Sequence, residues 1–263
     1  MNDPHVERLH YQLRPGEGLS FNSPPPLDVN NTAFRLRLDN GLLAVEMNEH
    51  HATEAEAKKC VEPWLRAWEI ETNLRLGKGM IRFEFQRSEI IDRNPPPPGE
   101  PRVITASGAI SCGATVSARG HVVHAQYPPP PMRFRATPDV ETMWNRYLGY
   151  LDGKEPLLSM AYLCLTVLEG STRAKKTKVR KAVCTMYNID HPVRKKLGDI
   201  VSERGSSEEA RKLGSGATRT PLTEKEKQWV EEVIKALIRR KAEYDADSSA
   251  PLPLITMGAF INV

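Results

Sequence analysis

From Phe34 the chain alternates apolar and polar positions: Phe34, Leu36 and Leu38 are separated by Arg35 and Arg37, Asp39-Asn40-Gly41 interrupts, and Leu42-Leu43-Ala44-Val45-Glu46-Met47 resumes. A period of two on both sides of Asn-Gly predicts a β-hairpin closed by a type I′ turn, whose positive φ angles suit those two residues. The period then changes. Val61, Leu65, Trp68 and Thr72 recur at spacings of three and four, which predicts a helix over about residues 53–74, with Pro63 as a point for a kink. Gly77-Lys78-Gly79 ends it, and Met80-Ile81-Arg82-Phe83-Glu84-Phe85 returns to alternation. Further extended structure is expected over 102–125. Residues 1–31, punctuated by Pro15-Gly16, Pro24-Pro25-Pro26 and Asn30-Asn31, predict a loop-rich start with at most one short strand. Proline tracts at 24–26, 95–98 and 128–131 predict polyproline II spacers.

Beyond about residue 137 the pattern is helical. Thr137 with Pro138 opens a helix whose apolar stripe is Val140, Met143, Trp144, Tyr147, Leu148 and Leu151, ending at Gly153. Next comes Leu157 to Leu168, LLSMAYLCLTVL, too unalternating for an ordinary strand and too short to span a bilayer. It predicts a central helix buried on most sides, around Leu163, with the other helices packed around it. A basic helix over 173–188 follows, then one capped by Asp190 and carrying Val193, Leu197, Ile200 and Val201 inward. After a glycine-rich stretch, Thr223 with Glu226 forms a capping box. That box opens a helix of about 21 residues, near 32 Å long. Its buried stripe is Trp229, Val230, Val233, Ile234, Leu237 and Ile238, with Arg239, Arg240 and Lys241 facing the negative end of its dipole. The expected fold is α+β: residues 1–132 a mixed sheet with one long helix and Pro-rich loops, residues 133–263 an all-helical bundle with a C-terminal tail.

Charge sharpens this division. The chain of 263 residues carries 37 Lys and Arg against 33 Asp and Glu. Residues 1–132 hold 14 basic and 16 acidic side chains, which leaves 23 and 17 for residues 133–263, so the halves carry −2 and +6. The second half is the one suited to an acidic partner. No stretch reaches about 18 apolar residues and MNDPHVERLH has no leader character, so a cytoplasmic protein without a membrane span is expected. Cys60, Cys112, Cys164 and Cys184 are widely spaced and predict neither a disulfide framework nor a zinc knuckle.

Catalytic signatures are few. The phosphate-cradling glycine motifs and the G-x-S-x-G elbow are absent from the sequence. His50-His51 and His121/His124 assemble no ligand set, since neighbours and residues three apart on a strand point to opposite faces. No metal or cofactor is expected. The strongest signal is a run of nine cations between Ser171 and Lys196, with Asp190 the single acid: Arg173, Lys175, Lys176, Lys178, Arg180, Lys181, Arg194, Lys195 and Lys196. It reads either as a solvated helix face or as a surface for an acidic protein, with a nucleic acid as the alternative partner. Aromatic residues for base stacking are missing apart from Tyr187.

MAYLCLTVLE, ERGSSEEARK, TPLTEKEKQWVEEVIKALIRRKAEYD and PLPLITM, covering roughly residues 155–257, resemble the MauJ family, whose genes accompany methylamine dehydrogenase in methylamine-utilisation clusters. The resemblance implies a cytoplasmic accessory role in maturation, assembly or regulation, and carries no chemistry to individual residues. The helical half also looks broadly like a HEPN bundle, a class that includes ribonucleases using Arg and His four to six residues apart. Here that spacing occurs only at Arg119 and His124, in the expected β half, while Arg211-Lys212 is followed by no histidine and no arginine precedes His191 at that distance. An RNA-binding or RNA-cleaving bundle is therefore the alternative, and a protein without enzymatic activity the main expectation.

Overall fold

The computed structural model describes residues 3–17, 19–94, 122–172, 174–175, 178–204 and 220–260. Its chain divides into two compact units, Met1–Pro131 and Met132–Val263. The first contains β1 (Pro4–Pro15), β2 (Leu19–Phe21), β3 (Leu27–Asn30), β4 (Phe34–Asp39), β5 (Leu42–Met47), α1 (Glu54–Leu76), β6 (Ile81–Asp92) and β7 (Val122–His124). Five strands pair antiparallel in the order β3-β4-β5-β1-β6, and β2 pairs parallel with β7 as a separate ladder. The β4–β5 turn has the expected chemistry, with φ of 49° at Asn40 and 75° at Gly41. Helix α1 runs through Pro63 and opens on a capping box between Thr53 and Glu56.

The loop-rich start is not what forms. Residues 4–15 make a twelve-residue strand in the sheet interior, between β5 and β6. Its apolar residues fall out of strict alternation because register shifts occur between Val6 and Arg8 and again between His10 and Tyr11. With these bulges Val6, Leu9, Tyr11 and Leu13 all reach the core, against Phe34, Leu36, Leu38, Val45, Val61, Leu65 and Trp68. The third proline tract is built into this unit at its first residue: Trp68 Nε1 donates to the Pro128 carbonyl at 3.1 Å. Part of the edge of β6 is protected by side chains of α1. Asn73 Oδ1 accepts the Met80 and Ile81 N–H groups at 2.7 and 3.2 Å, and Glu69 Oε1 accepts the Phe83 N–H at 2.7 Å. Of the extended stretch expected over 102–125, residues 102–121 lie outside the described residues.

The second unit contains α2 (Pro138–Leu151), α3 (Leu157–Gly170), α4 (Val179–Tyr187), α5 (His191–Glu203) and α6 (Glu224–Ala246). Helix α3 packs against α2, α4, α5 and α6. Met160, Ala161, Cys164 and Leu168 are fully buried, whereas Leu163 is half-buried and Tyr162, Thr166 and Gly170 face solvent. The basic helix is shorter than its sequence predicts, starting at Val179 rather than near 173. Helix α6 is 23 residues long, about 35 Å, and starts on the Thr223–Glu226 capping box. It extends past the cations meant for its C-terminal end, so Arg240 and Lys241 fall inside the bundle, each 5% exposed. No helix among the described residues is long and apolar enough to cross a membrane.

Candidate partner-binding face

Helix α4 buries Val183 and Tyr187 and thereby turns its cations outward. Lys178 occupies the N-cap without a side-chain cap hydrogen bond, and the first turn carries no acid. Lys175, Lys178, Arg180 and Lys181 are exposed, and among the described residues none of the four has a carboxylate partner. Cations at the positive end of a helix dipole repel it, and here nothing within the helix offsets them. The other end is firmly held. Asn188 adopts the left-handed conformation at φ 48°, Arg240 Nη1 donates to the Tyr187 carbonyl at 2.6 Å, and Asn188 Nδ2 donates to the Leu252 carbonyl at 2.7 Å. Ile255 N–H donates to the Asn188 carbonyl and Asp190 N–H to the Ile255 carbonyl, so the C-terminal tail clamps the α4–α5 junction.

The remaining cations of the run behave differently. Arg194 is 7% exposed and ion-paired with Glu169, so it belongs to the bundle interior and not to a docking face. Lys195 donates to Asp199 at 2.6 Å, which raises its pKa. Lys196 lies over the Trp229 ring, 4.8 Å from its centroid. Arg173 and Lys176 lie outside the described residues. The seven described cations of the run thus separate into four around the start of α4, without carboxylate partners among the described residues, and three engaged ones on α5.

A second polar site was not legible in the sequence. Thr137, Pro138, Asp139, Lys241 and Asp245 line an open cleft of about 390 Å³. Lys241 Nζ donates to both Asp245 oxygens at 2.8 and 2.6 Å and lies 3.1 Å from Asp139 Oδ2, while Thr137 Oγ1 donates to Asp245 at 2.6 Å. Burial pulls the Lys241 pKa down, but the hydrogen bonds its ammonium donates to Asp245 and Asp139 leave it raised overall. A protonated lysine with its donors engaged is neither nucleophile nor base, so the cluster joins α2 to α6.

Candidate nucleophiles are similarly quiet. Cys164 is fully buried, and burial pushes its thiol well above the ordinary range. His191 is exposed at the start of α5. His124 lies on β7 in the first unit, stacked obliquely near Phe21, and Arg119, Arg211 and Lys212 fall outside the described residues. Among the described residues no group of three or more His, Cys, Asp and Glu is arranged to hold a metal ion. No protein-family model matches the chain, and neither the curated proteins nor the solved structures give a significant match.

Proposed function

We propose that the chain is a cytoplasmic accessory protein that works by docking an acidic protein surface onto Lys175, Lys178, Arg180 and Lys181. The observation that carries this reading is the concentration of four exposed cations without carboxylate partners around one helix start, while the other described cations of the same run are paired, stacked or buried. Complementary charge of this kind steers association and fixes orientation. The resemblance to the MauJ family supplies the context: maturation, assembly or regulation associated with methylamine dehydrogenase, with no reaction assigned to this chain. The experiment is native mass spectrometry of the tagged full chain recovered by mild pulldown from cells growing on methylamine. The expected result is an acidic protein that co-purifies with the wild type and is lost when Lys175, Lys178, Arg180 and Lys181 are all changed to Gln. Recovery of RNA, lost with the same substitutions, would replace this reading with the nucleic-acid one.

A further inference from the structure

In the first unit a buried imidazole stands where the start of β1, the loop 48–53 leading into α1, and the end of β6 meet. His5 is 2% exposed. Its ring stacks on His50 with centroids 5.3 Å apart and planes at 17°, and its Nδ1 accepts the His51 backbone N–H at 3.4 Å. Neighbouring bonds close the junction: Val6 N–H donates to the His51 carbonyl at 2.9 Å, and Arg93 N–H to the Asp3 carbonyl at 2.9 Å. Asp3 N–H donates to Asp92 Oδ1 at 2.9 Å. Asp3 Oδ1 also lies 3.7 Å from His50 Nε2. His51 Nε2 is buried without a hydrogen-bond partner among the described residues.

We propose that His5, packed on His50 and bonded to the His51 backbone, is a proton-operated latch that pins the start of β1 to the loop entering α1 while its Nδ1 is unprotonated and releases it when that atom takes a proton. The bond to His5 Nδ1 requires a lone pair there, so a proton at that atom sets one N–H against another. A charged His5 also stands beside Arg93 from the end of β6 and beside His50 and His51 from the loop. The acids at the junction are Asp3 just before β1, Glu7 on β1, exposed Glu49 in the loop and Asp92 at the end of β6. Asp3 is turned toward His50, and Glu7 opposes the repulsion at His5. Burial first, then Arg93, His50 and His51, pull the His5 pKa below its ordinary value, against Glu7. Acid therefore has to charge a group that the folded junction keeps neutral, and the cost is relieved by local opening of residues 3–6 and 48–53 while the rest of the sheet persists.

The test is amide hydrogen exchange of the full chain at about pH 7.5 and about pH 5, corrected for intrinsic rates, with the β4–β5 ladder as internal reference. Protection of the Val6 and His51 amides should fall about tenfold more than that of the ladder on acidification. In His5→Gln, which keeps an acceptor that cannot be charged, most of that excess should vanish. Parallel loss at the latch and the ladder, or an undiminished excess in His5→Gln, overturns the proposal. If His5→Gln does not fold, titration of the wild-type imidazoles decides: His5 titrating below the free value of about 6.5 supports the latch, and titration at or above it overturns the latch.

Discussion

Lys241, Arg240, Arg194 and Glu69 show how single charges are kept inside this protein, each with at least one partner far away in sequence. Lys241 is held between Asp139 and Asp245, 6% exposed at its side chain. Replacing it with Met leaves the largely buried Asp245 carboxylate without its counterion, and stability should fall by about 3 kcal/mol. Urea unfolding at neutral pH checks this, and a loss below about 0.5 kcal/mol would mean that solvent already screens the cluster. Because the folded pKa of Lys241 is raised, its contribution is fully present below the unfolded value of about 10.4 and is lost as pH rises through the folded one. In the first unit Glu69→Ala strands the Phe83 N–H at the protected stretch of the β6 edge, and a loss of about 1–3 kcal/mol is expected in the same assay. None of these roles was legible beforehand. Arg240 and Arg194 look in sequence like any other surface cation. Whether one is buried depends on a carbonyl at Tyr187 or a carboxylate at Glu169 that only the packed bundle brings near.

Elements were legible wherever local chemistry and period agreed. The β4–β5 hairpin, α1, α2 and α6 each announce a turn or cap residue next to a clean period, and each forms close to its expected bounds. β1 was missed because bulges interrupt its period of two, so a long interior strand reads as irregular. The expected start of α4 lies too early because residues 173–178 offer Ala174 as their single apolar position and four cations but no Gly or Pro to stop a helix, so nothing in the period separates them from the helix that follows. On α3, Met160→Ala should cost about 2–5 kcal/mol, since Met160 is fully buried, whereas Tyr162→Ala on the solvent side should cost about 0.5 kcal/mol or less. Equal losses would mean that the exposed stripe of α3 is covered. On α6, Thr223→Ala removes the cap and should cost about 1 kcal/mol by thermal or urea unfolding. Burial pushes the Glu226 carboxyl up, but Thr223 hydrogen bonds and the Arg204 guanidinium bring it below its ordinary value. Its contribution is thus present above the unfolded pKa of about 4.3 and lost as pH falls through the folded one, so the advantage of wild type over Glu226→Gln should shrink below about pH 4.

At the scale of the whole molecule, charge is divided as the fold is. The whole excess of cations lies in residues 133–263, while the described polar face of the N-terminal sheet interleaves its arginines with acids, as in Arg8 with Glu46 and Glu89, Arg14 with Glu84, and Arg37 with Asp28. A partner steered by long-range attraction should therefore sense the start of α4 and be nearly indifferent to the sheet. If the proposed docking on an acidic surface holds, raising ionic strength from about 0.05 to about 0.5 M should slow association of the full chain with such a partner about tenfold or more, with a much smaller change in dissociation. In the variant with Lys175, Lys178, Arg180 and Lys181 changed to Gln, that salt dependence should largely disappear. Changing exposed Arg35 and Arg82 on the sheet to Gln should leave it intact. Stopped-flow association across a salt series distinguishes these outcomes. Equal sensitivity to both sets of substitutions would mean that net charge, and not the α4 face, attracts the partner.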